Sequence, residues 1–565
     1  MGVMADGGSQ REFTFTALAL GVALAVVFGA ANAYLGLRVG LTVSASIPAA
    51  VVSMGILRVM MRRDSILENN IVQTIASAGE SLAAGAIFTM PALFLWAEEG
   101  MCAPPGMGTL TLIALAGGVL GVLLMVPLRR PLIVEEEKTL VYPEGRACAD
   151  VLRAGENGAG RAKTVFLGFA AAASVKVVAD VFKWIPPALT HSFSRLRGAI
   201  GVELSPALVG VGYVAGPKVA TLLFAGSLLG WMVLMPTCCA TMPDAAAMWE
   251  SGGARAVWSG CVRYVGAGAI AAGGVISVAK SVPLFVRTFR TAAGALRASP
   301  SDRDMPLKAV FSGVAAVIVL LWAIPAAPVG VGGAVLIAVF GFFFAAVSAR
   351  MVGFVGSSNN PVSGMTIVTL VAASLALKAT GTAGAAGMVA AMAVGSVVCI
   401  VSAIAGDTAQ DLKTGRILGA TPWRQQVGEL VGVTVAAVAI GGILKLLHAA
   451  WGFGSEQLAA PQATLMKVVV EGIMGGGMPW ELIAAGAGIA VVLAVCRVPV
   501  MPCAIGIYLP VGINAAIFAG GMARLAVERR RRAATDDPGT LFAAGMVAGE
   551  GVCGILLALL AVAAK

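Results

Sequence analysis

Long apolar runs closed by short polar clusters set the pattern of this chain. Runs of roughly twenty mostly apolar residues occur at 13–34, 41–61, 109–128, 162–182, 218–235, 257–279, 309–324, 330–347 and 384–404. About twenty such residues are what an α-helix needs to cross a bilayer. Two interruptions break the pattern. The first run ends in Gly36-Leu37-Arg38-Val39-Gly40, which places Asn32, Tyr34 and Arg38 near interrupted backbone. The second lies at 350–364, where Pro361 disfavours helix at Asn360 and Gly353, Gly356 and Gly364 loosen the chain. Irregular backbone at membrane depth is tolerated only against protein or a water-filled cavity.

The segment Leu67 to Glu80 is too polar for lipid and too apolar for a loop. Glu68, Asn69, Asn70, Gln73 and Glu80 interrupt it, and on a helix Asn69, Gln73 and Glu80 fall near one face. Such groups in a spanning segment mark a solute or proton pathway, or tie neighbouring helices together. A matching stretch follows the run at 384–404, with Asp407, Gln410, Asp411, Lys413, Thr414 and Arg416. A charged stretch at 129–150 carries Glu135, Glu136, Glu137 and the turn Tyr142-Pro143-Glu144-Gly145. It reads either as a re-entrant hairpin of two short helices or as a plain loop. Tyr508-Leu509-Pro510-Val511-Gly512 echoes that turn. Echoes some 330 to 370 residues apart indicate two related halves, at 1–285 and 309–565, joined by a basic, cytoplasmic linker at 286–308. Arg62-Arg63 and Arg529 to Arg532 are expected on the same side of the membrane.

Composition sharpens this picture. Hydrophobic residues make up 58% and charged ones 12%, half of the roughly 25% charged content of a soluble domain. The chain is therefore expected to be an all-α, polytopic membrane protein, and 72 glycines fit close helix packing. Its net charge of +10 lies in short clusters between spans without interleaved aromatics, which reads as topology signal and not as nucleic-acid binding. Nine scattered cysteines and two histidines offer no disulfide framework or metal-ligand spacing, so no cofactor and no resident metal are expected. No GxxxxGK[ST] loop is present, which leaves an ion gradient as the energy source. HExxH and GxSxG motifs are also absent, so an enzyme is not expected; a pore is the other rival, and internal duplication favours alternating access. Without a histidine relay, coupling falls to buried carboxylates: Glu80, Asp407, Asp411, Glu429 and Glu550 stand nearest apolar sequence. Salt bridges to Lys413, Arg416 or Arg424 are the alternative for Asp407, Asp411 and Glu429.

Five stretches carry a family resemblance: NAYLGLRVGLTVSASIPAAVVS from Asn32, ENNIVQTIASAGES from Glu68, RPLIVEEEKTLVYPEGRACADVL from Arg130, GSSNNPVSGMTI from Gly356 and GDTAQDLKTGRILGATP from Gly406. In these the chain resembles the oligopeptide transporter (OPT) superfamily, and within it the prokaryotic and yellow-stripe-like branch. It has Asn360-Pro361-Val362 where the peptide-carrying branch has NPG. The resemblance implies roughly sixteen helices in two pseudo-symmetric halves and proton-coupled uptake of small peptides, or of metal complexed to peptide-like chelators, across the plasma or inner membrane. The expected partners are that solute, protons and the lipid bilayer, with a homodimer left open. The expected solute-binding residues are Asn32, Tyr34, Asn69, Asn70, Gln73, Tyr142, Asn359, Asn360, Asp407, Gln410, Tyr508 and Asn514. The expected proton-coupling residues are Glu80, Asp407, Asp411 and Glu550, with Glu80 foremost because no Lys or Arg lies within a helical turn of it.

Overall fold

The computed structural model describes residues 11–563 except 41, 43, 61, 63–64, 139, 156–159, 187, 274–275, 277–303, 325–327, 476–478 and 531–537. The expected linker at 286–308 falls mostly outside these residues, and the basic clusters at 62–63 and 529–532 partly so. The described chain is helical almost throughout, with ten helices long and apolar enough to span a membrane and shorter apolar helices at Ser46–Arg58, Pro206–Ala215, Leu307–Ala323 and Trp480–Val495. Roughly sixteen helices were expected, and the described residues hold these ten long apolar ones and four shorter ones. At about 1.5 Å per residue, a ten-residue helix such as Pro206–Ala215 covers only half of a bilayer core.

Three long helices form the middle of the bundle. The opening helix, Phe15–Val39, packs along the helix Ile66–Ile87, which carries Glu80; that helix in turn crosses Gly384–Leu418, which carries Asp407. Small residues allow this closeness. A Cβ at Gly79 would stand 2.7 Å from the carbonyl oxygen of Ala25, and one at Gly85 would stand 2.7 Å from the Cα of Ile400. Where lipid supplies no hydrophobic drive between helices, such backbone approach lets dispersion and hydrogen bonds hold them. In the same manner Gly330–Val355 packs along Gly384–Leu418, and Pro538–Ala563 packs along Gly160–Asp180.

The breaks differ in detail from the expectation. The opening helix does not stop at Gly36; it runs through Arg38 and ends at Gly40, whose φ of 73° a glycine adopts without Cβ strain. Asn32, Tyr34 and Arg38 are therefore helical. The run at 41–61, expected to be one span, is a nine-residue α-helix, Ser46–Met54, continued by a π-helical turn, Gly55–Met60. The second break lies where Pro361 placed it. Gly330–Val355 ends at Gly356 (φ 84°), a 3₁₀ turn covers Ser357–Asn359, Asn360 is extended (φ −66°, ψ 125°), and a new helix runs Val362–Ala379. The charged stretch is not a plain loop: a π-helical turn covers Arg130–Glu135 and a helix covers Pro143–Gly155. An antiparallel hairpin, Ala188–Phe193 with Gly198–Glu203, was not expected. Ser205 N-caps the helix Pro206–Ala215 through its hydroxyl.

Candidate functional site

The two breaks meet. The amide of Ser44, in the first, donates to the hydroxyl of Ser358, in the second, at 3.3 Å. Between them lies a cavity of about 300 Å³ lined by Gly40, Thr42 and Ser44 from one break and Ser357, Ser358 and Asn360 to Gly364 from the other. Glu80 and Asp407 stand on its walls. The helices Ser46–Met54 and Val362–Ala379 both begin at this cavity, so their positive ends lie beside it.

Glu80 is 4% exposed and has no cationic partner among the described residues. Its carboxylate is held by the Asn32 side-chain amide and by the Ala45 backbone N–H at 3.3 Å. On its far side a small void of about 30 Å³ is lined by Asn32, Pro48 and Ala548. Asp407 accepts a hydrogen bond from the Ser77 hydroxyl at 2.7 Å, and Ser77 is bonded in turn to Ser46 at 2.8 Å. Asn360 donates to the Ser348 hydroxyl at 2.7 Å and lines the cavity. Of the expected residues, then, Glu80, Asn360 and Asp407 are brought to one cavity, with Asn32 immediately behind Glu80.

Apart from Asn359, the remaining expected residues are not among the described residues of the cavity wall. Asn69 lies eleven residues before Glu80, roughly 16 Å along a helix axis, and ties Ser53 (2.6 Å) to the Ser65 carbonyl (3.0 Å). Asn70 is fully buried with both side-chain polar atoms unpartnered, and Gln73 donates to Asp411 at 2.5 Å. Gln410 accepts from the Gly145 N–H at 2.6 Å and donates to the Val352 carbonyl at 3.2 Å, and the Tyr142 N–H donates to the Gly353 carbonyl at 3.0 Å; both residues brace the second break from beneath. Tyr34 packs against Trp451 in a tilted pair with ring centroids 5.5 Å apart, Tyr508 donates to the Ala459 carbonyl at 3.1 Å, and Asn514 donates to Ser227 at 2.9 Å. The side chain of Asn359 is outside the described residues. Glu550 is compensated: it accepts from Arg38 (3.2 Å), from the one Ser205 hydroxyl, which lies between its two oxygens (2.7 and 2.9 Å), and from the Ala207 N–H (2.9 Å), while Arg38 also pairs with Glu203.

Two features were missed from sequence. Glu144 reaches the second break, accepting from the backbone N–H groups of Ser357 (3.0 Å) and Ser358 (3.1 Å) and from the Ser357 hydroxyl. Asp407, Asp411 and Glu429, the last on the helix Pro422–Trp451, gather carboxylate oxygens within 4.8 Å of one another, all buried. The salt bridges proposed for these acids do not form. Lys413 and Arg416 both pair with Glu137 at 2.9 Å, and Arg424 pairs with Glu12 at 2.8 Å. Those two cations hold the Glu137 carboxyl, outside the spans, down at about 2.

Interrupted helices meeting at an internal cavity are the architecture of solute carriers, and sequence comparison agrees. The family model for the OPT oligopeptide transporter protein matches residues 12–561. The chain belongs to the OPT family. Its relatives include a "Putative oligopeptide transporter" of Haemophilus influenzae, 34% identical over 93% of this chain and 92% of that one. They also include the metal-nicotianamine transporter YSL3 of Arabidopsis thaliana, 21% identical over 82% of this chain and 77% of that one. This OPT protein is thus a multi-pass membrane transporter and not an enzyme.

Proposed function

We propose that this OPT protein is a proton-coupled symporter of the cell membrane for small peptides, working by alternating access between halves at 1–285 and 309–565. The observation that carries the reading is the meeting of both helix breaks, Glu80 and Asp407 on one cavity. Helix N-termini favour a carboxylate-bearing solute there, and Asp407 suits its amino group. A volume of about 300 Å³ lies at the low end of small-molecule sites, roughly 300–1,000 Å³, and suits one short solute. Glu80 is the proposed proton carrier, because hydrogen bonds alone hold it and it stands between the cavity and the small void behind. A peptide-like metal chelate is the second reading, favoured by the relationship to the metal-nicotianamine transporter.

The test is uptake into proteoliposomes of a labelled tripeptide and of an iron–nicotianamine chelate, with the interior made alkaline. Saturable uptake of one of them, collapsing with an uncoupler, is expected. Glu80→Gln keeps the volume of the side chain, so solute binding should persist while the response to the gradient is lost. Uptake indifferent to the uncoupler in the parent removes proton coupling, and an unchanged gradient response in Glu80→Gln removes Glu80 as the carrier.

A further inference from the structure

The three-acid cluster lies beside the solute cavity and shares one residue with it. Asp407 and Asp411 are four residues apart on one helical face, and Glu429 approaches from the next helix; the exposures are 1%, 0% and 0%. Three carboxylates in a dry interior need a counter-charge, since each uncompensated ion costs several kcal/mol. The nearby cations do not provide it, because Lys413, Arg416 and Arg424 are paired elsewhere.

A second observation shows what kind of counter-charge fits. Gln73 donates its amide nitrogen to Asp411 and leaves its own Oε1 buried without a donor. The fully buried Thr408 hydroxyl stands beside Glu429. Both Glu429 oxygens, Asp407 Oδ1 and Asp411 Oδ2 also lack donors. Protons shared among the acids would answer the carboxylates and leave the Gln73 oxygen orphaned. A metal ion answers all of these lone pairs at once. The donors are carboxylate, amide and hydroxyl oxygens only, since the nearby thiol of Cys148 is turned to the Ser46 carbonyl at 3.8 Å. An all-oxygen set selects a hard cation, and three carboxylates favour charge two over charge one.

We propose that Asp407, Asp411 and Glu429, with Gln73 Oε1, form a resident binding site for a hard divalent cation of the calcium, magnesium and manganese class. The ion is held and not carried, and the absence of nitrogen and sulfur donors separates it from the softer metals that chelators deliver. Asp407 gives one oxygen to Ser77 and turns the other toward the cluster, so the ion would fix the Asp407 carboxylate at the cavity wall.

The test is a Mn²⁺ titration, followed by electron paramagnetic resonance, of the purified full chain in detergent after chelator treatment. About one bound Mn²⁺ per chain is expected, displaced by Ca²⁺ and Mg²⁺ but not by NaCl at matched ionic strength. Asp411→Asn and Glu429→Gln should each weaken binding about tenfold or more. The parent's melting temperature, compared with Mn²⁺ and with EDTA, gives a readout that needs no variant and should rise with the ion. No bound Mn²⁺ in the parent, displacement by sodium alone, or a loss in Glu80→Gln equal to that in Glu429→Gln would overturn the proposal. No solute or gradient enters the measurement, so its failure leaves the transport reading untouched.

Discussion

Glu144 holds the second break in place, and its removal has a calculable cost. Its carboxylate receives two backbone N–H bonds, at 3.0 and 3.1 Å, and the Ser357 hydroxyl. Hydrogen bonds to a charged group are worth about 1.5–3 kcal/mol each. Glu144 is half-buried, so water can replace part of the loss and the lower figure applies. Two backbone bonds then give about 3 kcal/mol for Glu144→Ala, and about half of that for Glu144→Gln, which keeps a neutral acceptor. The same contact can be attacked from the other side. Gly356 has φ 84° and ψ 163°, a region essentially confined to glycine where another residue costs about 1–3 kcal/mol. A Cβ there would also stand 2.6 Å from Glu144 Oε1 and push the carboxylate away. Gly356→Ala therefore removes part of what Glu144→Ala removes, and the double variant should be less destabilised than the sum by more than about 0.5 kcal/mol. Unfolding by SDS in mixed micelles measures all four variants. A Glu144→Ala loss within about 0.5 kcal/mol of zero, or strict additivity of the pair, would refute the claim that this carboxylate builds the break.

Two further variants probe the frame around the site. Gly79→Ala should cost about 1–3 kcal/mol by the same unfolding assay, because the new methyl meets the Ala25 backbone and not a movable side chain; a neutral result would mean that the opening helix and its neighbour slide apart freely. Glu137, paired with Lys413 and Arg416, has its carboxyl lowered from about 4.5 to about 2. A depressed folded-state value contributes stability above the unfolded value and loses it as the pH falls through the folded one. The difference in melting temperature between the parent and Glu137→Gln should thus be present at pH 6, shrink below about 4.5 and vanish near 2; it should be small, since Glu137 is 44% exposed.

What the sequence made legible are the constraints that act locally. Pro361 with Gly356 dictates a break that a helix cannot absorb, and the break is there, with Asn360 extended. Gly36 carries no such compulsion, since a glycine can ride within a helix at modest cost, and the helix stops four residues later at Gly40, which Pro461 packs against. Glu80 and Asp407 stood out because a carboxylate in an apolar run has to face something other than lipid. Periodicity placed Asn69 and Gln73 on the face of Glu80 but says nothing of height, and a shared helical face spans several turns. That is why two of the expected amides lie about two and three turns from Glu80.

The partners that complete the site come from far along the chain, and no local pattern announces them. Glu144 reaches Ser357 over 213 residues, Arg38 reaches Glu550 over 512, and Gln73 reaches Asp411 over 338. Charge explains why such pairs had to form once the helices were buried, without saying which acid finds which base. Lys413 and Arg416 were the nearest cations in sequence to Asp411, yet on a helix they project away from it and find Glu137 instead. Their departure leaves Asp407, Asp411 and Glu429 without a cation among the described residues, and with carboxylate oxygens that no donor answers. Asp407 thus belongs both to the solute cavity and to the proposed ion site. A transporter in which one carboxylate faces both can link their occupancies without any moving part between them.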